Sequence, residues 1–103
     1  EVLRWIRPAQ SQFRIYWKHN SKRYVPDFVV ETANAIYMVE VKAENELEDV
    51  DVQEKAEAGK KFCETASEYN QKNRGKKWVY VLVPHNVISL NMGFIGLAGK
   101  YTY

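Results

Sequence analysis

The segment that most constrains the fold is a stretch of helical periodicity, residues 51–72, followed closely by an apolar run. Residues 78–83 are almost uninterruptedly apolar, and Pro84 ends the run. A strand of this kind is usually buried on both faces and pairs in parallel after a helical crossover. The helix is predicted to have one apolar face, because small and apolar residues recur every three or four positions: Val52, Ala56, Gly59, Phe62, Cys63, Ala66 and Tyr69.

Three strands are predicted before this helix. Residues 12–18, 24–30 and 36–42 are rich in β-forming residues and are separated by turn residues. A turn at 32–35 makes the last two strands antiparallel neighbours, so the three strands are expected to form a meander. Pro26 cannot donate to a strand ladder and therefore marks an unpaired edge position or a bulge.

The two ends of the chain are less strongly patterned. Residues 1–7 are expected to be the tail of a helix, and residues 86–103 a short helix or coil. The resulting (α)βββαβ order predicts an α/β fold, a mixed sheet flanked by helices. The whole chain, residues 1–103, is expected to be a single domain, because 103 residues is an ordinary domain size. Its start at Glu1 rather than at a methionine indicates a piece of a longer protein.

Composition narrows the class of protein. Cys63 is the only cysteine, so no intrachain disulfide can form and a reducing, cytoplasmic compartment is expected. No apolar run reaches the roughly 18 residues of a membrane span, so no membrane partner is expected. The net charge of +2 permits a polyanionic partner without demanding one. Six positive charges precede residue 27 against one acid, Glu1: Arg4, Arg7, Arg14, Lys18, Lys22 and Arg23.

Asp27, Glu40 and Lys42 are the candidate catalytic residues of the chain. Because side chains alternate along a strand, Glu40 and Lys42 share one face at the end of an otherwise apolar strand. A loop at 32–35 sets a register that pairs Glu31 with Ile36, Val29 with Met38, and Asp27 with Glu40. Opposed residues have Cβ atoms about 4.5–5.5 Å apart, and Lys42 lies on the diagonal at roughly 7–8 Å. Two carboxylates and a lysine are therefore expected in one small patch.

Phosphodiester hydrolysis is the chemistry that uses such a patch. Carboxylate oxygens hold Mg²⁺, which polarises the phosphate and acidifies a bound water. A lysine can stabilise the developing anion or help to deprotonate the water. Lys55 falls inside the apolar stripe of the helix at about 100° per residue, in its first turn, and could reach the patch. Gln53 is a candidate for the rim of the site.

These residues resemble the PD-(D/E)xK nuclease signature, in Pro26-Asp27 followed by Glu40-Val41-Lys42. The wider strings 24–30 and 37–42, with Asp51-Val52 and Lys55-Ala56 ahead of Phe62-Cys63, look like the C-terminal endonuclease domain of type III restriction enzyme Res subunits. The resemblance covers residues 1 to about 90. It implies a restriction-endonuclease-like fold and Mg²⁺-dependent endonuclease activity on DNA.

The resemblance also implies roles and partners. Asp27 and Glu40 would bind Mg²⁺, for which Mn²⁺ can substitute, with the backbone carbonyl of Val41 as a third ligand. Lys42 would be the catalytic lysine and Lys55 a weaker catalytic candidate. The partners would be double-stranded DNA, a helicase/ATPase region of the same longer chain and a methyltransferase (modification) subunit, in a bacterial or archaeal cell. A further acid from a preceding helix, common in such nucleases, has only Glu1 as a candidate here.

Several alternatives stay open from the residues alone. Glu40 and Lys42 could form an exposed strand-end salt bridge worth about 0–1 kcal/mol, and Lys55 could cover the core with its aliphatic stem. At the level of function, the domain could be a catalytically inactive nuclease-like domain that binds DNA or a partner subunit, or a scaffold with an ionic cluster. A zinc site from His19, His85 and Cys63 is disfavoured because the spacing fits no known finger.

Overall fold

A computed structural model describes residues 2–8, 15–17, 22–72, 75–85 and 94–103. The elements along the chain are β1 Val2–Ile6, β2 Ile15–Trp17, β3 Lys22–Tyr24, β4 Phe28–Thr32, β5 Ala35–Lys42, α1 Val50–Lys72, β6 Lys77–Pro84 and α2 Phe94–Tyr101. A short 3-10 helix at Glu44–Glu46 follows β5. The main sheet has four strands in the order β1-β4-β5-β6, and a separate two-stranded sheet pairs β2 with β3.

The β5-α1-β6 unit forms the centre of the fold. β5 and β6 pair in parallel from Ala35 opposite Lys77 to Lys42 opposite Pro84, which confirms the crossover predicted from the sequence. β4 pairs with β5 in antiparallel fashion, with Glu31 opposite Ile36 and Val29 opposite Met38. The predicted register is therefore confirmed over this part of the hairpin. The α/β class, a mixed sheet flanked by helices, is confirmed as well.

Three details of the predicted strand order are wrong. Residues 2–6 form an edge strand, β1, antiparallel to β4, rather than the tail of a helix. The predicted strand 24–30 is divided, because Val25 and Pro26 are in neither strand and Asp27 lies at a bend. The divided pieces belong to different sheets, so the three predicted strands do not form one meander. Pro26 has no N–H to donate, which accounts for a break at this place.

The main sheet separates two apolar layers. On one face, Met38 and Tyr80 pack with Ala56 and Cys63 of α1 and with Tyr24 of the small sheet. The other face carries a second cluster that includes Ala98 of α2: Val30, Val39, Val81, Val83 and Ala98. Alternation along β5 and β6 produces this division, since even-numbered residues face α1 and odd-numbered residues face α2.

α1 confirms the predicted helix nearly to the residue, and its apolar face is shorter than predicted. Val52, Ala56, Gly59 and Cys63 are buried, but Tyr69 is 67% exposed because it lies in the last turns, beyond the buried part of the stripe. Gly75 donates its backbone N–H to the carbonyl of Asn70 at 2.7 Å, as a capping residue would. Among the described residues, neither helix combines the length and apolar character needed to cross a membrane.

Candidate active site

Glu40 lies at the end of β5, on the face of the sheet that α1 and the small sheet cover. It is only 6% exposed, although a glutamate is rarely buried without a partner. One carboxylate oxygen, Oε1, accepts a hydrogen bond from the Tyr24 hydroxyl at 2.8 Å. The other, Oε2, lies 3.6 Å from the Lys42 ammonium. The alternative of a solvated strand end is therefore wrong for Glu40, since this carboxylate is buried, although its ion pair with Lys42 is present.

A hydrogen bond to the backbone of β5 positions Asp27 beside Glu40. Its Oδ2 accepts the N–H of Val41 at 2.8 Å. The paired residues of β4 and β5 end at Phe28 opposite Val39, so Asp27 is not a ladder partner of Glu40 as predicted. The bend at Asp27 turns its side chain onto the β5 backbone instead. The two carboxylates nevertheless lie within electrostatic reach of each other.

The environment of Glu40 raises the pKa of its carboxyl group. Burial raises it above its ordinary value, and the negative charge of Asp27 raises it further. The hydrogen bond from Tyr24 and the positive charges of Lys42 and Lys55 act in the opposite direction. A buried carboxylate with a second carboxylate beside it favours a bound cation or proton.

Both predicted lysines lie near the carboxylates. The Lys42 side chain is 27% exposed and follows Glu40 on the same face of β5. Lys55 is half-buried in α1, and its charge acts on Glu40. The sequence-predicted side chains Asp27, Glu40, Lys42 and Lys55 are thus brought together at one end of the sheet, from the β3–β4 connection, from β5 and from α1.

Two tyrosines of this site were missed by sequence analysis. The hydroxyls of Tyr24 and Tyr80 lie 2.6 Å apart, their rings meet edge to face at 6.4 Å, and burial raises the pKa of each phenol. Tyr24 was part of the string that resembles nucleases, and Tyr80 lies opposite Met38 on the apolar strand. In the sequence both look like ordinary core aromatics, because no sequence pattern indicates which groups their hydroxyls contact.

A family model described as the N-terminal domain of TnsA-like endonucleases matches residues 3–81. The chain belongs to this family. The matched region runs from β1 into β6 and includes Asp27, Glu40, Lys42 and Lys55. No curated protein and no solved structure matches the chain significantly. This TnsA-like domain is therefore of nuclease type, and its fold is restriction-endonuclease-like.

The remaining candidates of the TnsA-like domain lie elsewhere or serve its structure. Gln53 donates to the carbonyl of Leu47 and accepts the Tyr103 hydroxyl at 2.8 Å, so it ties the start of α1 to the end of the chain. Cys63 is buried in α1 and His85 is exposed. His19 lies outside the described residues.

The donor set of the TnsA-like site fits a hard divalent cation. In the part of the chain that the structure describes, no three His, Cys, Asp or Glu side chains come together, so a cation would rest on Asp27 and Glu40, with backbone oxygen and water. Mg²⁺ binds in this way, through one or two carboxylates and several waters. Asp27 Oδ2 and Glu40 Oε1 each accept a hydrogen bond, so a cation would be bound through Asp27 Oδ1 and through Glu40 Oε2, which lies 3.6 Å from the Lys42 ammonium.

Proposed function

We propose that this domain is a Mg²⁺-dependent endonuclease that hydrolyses phosphodiester bonds of double-stranded DNA, with Mn²⁺ able to replace Mg²⁺. The observation that carries the proposal is the buried Glu40 with Asp27, Lys42 and Lys55 around it. The order Pro26-Asp27 and Glu40-Val41-Lys42 is that of a PD-(D/E)xK site. Membership of a TnsA-like endonuclease family supports the same chemistry.

Asp27 and Glu40 would hold the cation, with the carbonyl of Val41 as a third ligand. The Val41 N–H points at Asp27, and the N–H and C=O of one strand residue point to the same side of the strand. The Val41 carbonyl is therefore expected on the Asp27 side as well. This hydrogen bond would also fix Asp27 in place before any cation arrives, which reduces the ordering cost of binding.

The cation would polarise the scissile phosphate and lower the pKa of a bound water. Lys42, which is partly open to solvent, would place its ammonium near the phosphate and stabilise the negative charge that develops in the transition state. Lys55 would add a second positive charge from α1. In its neutral form Lys42 could take the proton of the attacking water, which is general-base catalysis.

The DNA itself would approach the end of the sheet where Asp27 lies. Arg7 belongs to the basic N-terminal third of the chain, and its guanidinium lies 5.1 Å from the ring centre of Phe28, the neighbour of Asp27. Arg7 is exposed and available to a phosphate. Such contacts position DNA without reading its sequence, and they weaken as salt is added.

The finer setting of the proposal is that of a type III restriction Res subunit. It rests on the resemblance of the strings 24–30 and 37–42 alone, because the matching family is TnsA-like. In that setting a helicase/ATPase region of the same longer chain and a methyltransferase subunit would be the partners, in the cytoplasm of a bacterial or archaeal cell. Neither partner is needed for the metal chemistry proposed above.

Two observations favour a second candidate, a catalytically inactive domain that binds DNA or a partner subunit. Lys42 lies 3.6 Å from Glu40 and would itself neutralise the carboxylate. The described residues also bring no third acid to the pair. A domain of this kind would keep the fold and salt-dependent DNA binding but would not bind Mg²⁺ at Asp27 and Glu40.

Calorimetric titration of Mn²⁺ and Mg²⁺ separates the two candidates. We expect binding to the unmodified domain and its loss in Asp27→Ala and in Glu40→Ala. Asp51→Ala, an exposed acid at the start of α1, is the matched control and should bind normally. Failure of the unmodified domain to bind either cation would refute the nuclease proposal in favour of the inactive domain.

Cleavage of supercoiled plasmid DNA then tests the chemistry. Asp27→Ala and Lys42→Ala should abolish cutting without unfolding the domain, whereas Lys77→Ala, an exposed lysine at the start of β6, should not. Cutting retained by either of the first two variants would contradict the assigned roles.

A further inference from the structure

Glu40 is approached from the protein interior by a chain of two buried hydroxyls. Tyr24 is 4% and Tyr80 is 3% exposed. The Tyr24 hydroxyl lies within hydrogen-bond distance of both Glu40 Oε1, at 2.8 Å, and the Tyr80 hydroxyl, at 2.6 Å. Neither tyrosine has a role in the chemistry proposed above, yet Tyr24 touches a proposed metal ligand.

The direction of these two hydrogen bonds follows from proton counting. An ionised carboxylate can only accept hydrogen bonds, and a phenol carries one proton to donate. In the cation-bound site that the proposed function requires, Glu40 is ionised, so the Tyr24 hydroxyl donates its one proton to Glu40 Oε1. The short contact between the two hydroxyls can then be a hydrogen bond only if Tyr80 donates to the Tyr24 oxygen. The result is a directed chain from Tyr80 through Tyr24 to Glu40.

The rings that carry this chain have little room to move. The Tyr24 and Tyr80 rings pack edge to face with their centres 6.4 Å apart. Tyr80 makes a second edge-to-face contact with Tyr103, at 6.0 Å between ring centres. Tyr24 stands on the small sheet and Tyr80 on the main sheet, so the hydroxyl chain also joins the two sheets. Because the Tyr24 hydroxyl hydrogen-bonds to Oε1, the other carboxylate oxygen of Glu40, Oε2, lies on the side of Lys42.

We propose that Tyr24 is a positioning residue for Glu40, oriented in turn by Tyr80, and that this hydroxyl chain sets the affinity of the site for its divalent cation. The inference rests on the proposed function, because it takes Glu40 as a metal ligand. Partners that orient a metal ligand typically change metal affinity by about 10–100-fold when they are removed. Tyr24 makes the direct contact and Tyr80 acts one step away, so the effects are expected in that order.

The test is a Mn²⁺ titration of the full chain by calorimetry. Tyr24→Phe should weaken Mn²⁺ binding by about 10–100-fold, and Tyr80→Phe should weaken it by a smaller factor. Tyr37→Phe is the control, because Tyr37 packs against Phe94 on the opposite face of the sheet; its affinity should be unchanged. Circular dichroism and thermal unfolding without metal establish that each variant is folded.

A spectroscopic measurement distinguishes positioning from a purely structural role. Mn²⁺ bound to Glu40 draws electron density from the carboxylate that accepts the Tyr24 proton, so the near-ultraviolet tyrosine absorption of the unmodified domain should change on Mn²⁺ addition. Tyr24→Phe should lose this difference signal, and Tyr37→Phe should keep it. Should Tyr24→Phe fail to fold, Tyr80→Phe carries the test through its Mn²⁺ affinity, and an affinity equal to that of Tyr37→Phe would overturn the proposal.

The outcomes separate this proposal from the function on which it rests. Mn²⁺ affinity within twofold of normal in Tyr24→Phe, with binding lost in Asp27→Ala, would overturn the positioning role and leave the nuclease site intact. Absence of Mn²⁺ binding to the unmodified domain would overturn both. A tyrosine difference signal that persists in Tyr24→Phe would also contradict the assignment.

Discussion

Gly59 lies in the middle of α1 with its bare Cα against the ring of Tyr80. A Cβ built there would lie 2.6 Å from Cδ1 and 3.0 Å from Cζ of that ring, and closer still to Cε1. Carbon atoms pack best at about 3.5–4.0 Å, so Gly59→Ala requires a shift of about 1 Å. The ring has little space for such a shift, since Tyr80 is buried and its hydroxyl is held by Tyr24.

The size of the effect follows from two opposing contributions to the free energy of unfolding. Over-packing of a core costs about 1–3 kcal/mol, whereas alanine in place of a mid-helix glycine contributes up to about 1 kcal/mol. Gly96→Ala in α2 is the matched control, because a Cβ there meets nothing within 4 Å. Gly96→Ala replaces a helical glycine without a clash, whereas Gly59→Ala carries the steric cost, so Gly59→Ala should be less stable than Gly96→Ala by about 1–3 kcal/mol.

Urea and thermal unfolding followed by circular dichroism measure this difference. For a domain of this size, 1 kcal/mol corresponds to about 4–8 °C in melting temperature. Equal stability of the two variants, or greater stability of Gly59→Ala, would refute the close packing of Tyr80 on α1. Because Tyr80 orients Tyr24, such a result would also remove support from the hydroxyl chain described above.

Three further predictions concern single ionisable side chains. Burial and the charge of Asp27 raise the pKa of the Glu40 carboxyl, so its charged form is disfavoured in the folded state. In metal-free solution at pH 7, Glu40→Gln should therefore raise the free energy of unfolding while cation binding is lost; a loss of stability on urea unfolding would contradict this. Burial, and to a lesser extent Glu64, raises the pKa of the Cys63 thiol to about 12, so the thiol is neutral at pH 8. A disulfide reagent should therefore label the native domain far more slowly than the urea-unfolded chain. Equal labelling rates would mean that α1 is not packed on the sheet. Hydrogen bonds from Lys76, and then Arg4, hold the pKa of the Glu31 carboxyl below its usual range. That stabilisation is present above the ordinary glutamate pKa of about 4.3 and is lost as the pH falls through the lower folded value, so Glu31→Gln should flatten the acid limb of stability against pH, and an unchanged limb would exclude this ion cluster as its source.

The elements best predicted from the sequence are those whose apolar residues follow a regular pattern. α1 and β6 have distinct apolar patterns over many residues, and the parallel pairing follows from the crossover between β5 and β6. The register around Val29 and Met38 follows from a short hairpin connection, since one slipped residue would place every side chain on the wrong face. The cluster of Asp27, Glu40 and Lys42 came from this register together with the resemblance.

The parts that sequence missed depend on distant contacts. β1 is five residues long, and four of its residues are apolar although all five are exposed, so no alternation of polar and apolar residues indicates a strand. The separation of the small sheet from the main sheet follows from the break at Pro26, which the sequence marked without showing where the chain would go. Tyr24 and Tyr80 meet only because two sheets are brought together, and no local pattern encodes that meeting.

The hydroxyl chain has a consequence for the order in which the fold assembles. Tyr24 and Glu40 are 16 residues apart, whereas Tyr24 and Tyr80 are 56 apart. Contacts between distant residues carry a larger loop-closure cost and are slower to form. The pair of Tyr24 and Glu40 can therefore form early, within one contiguous stretch of chain, while Tyr80 arrives only when the last strand docks. A signal from the Tyr24–Tyr80 contact would report completion of the whole domain.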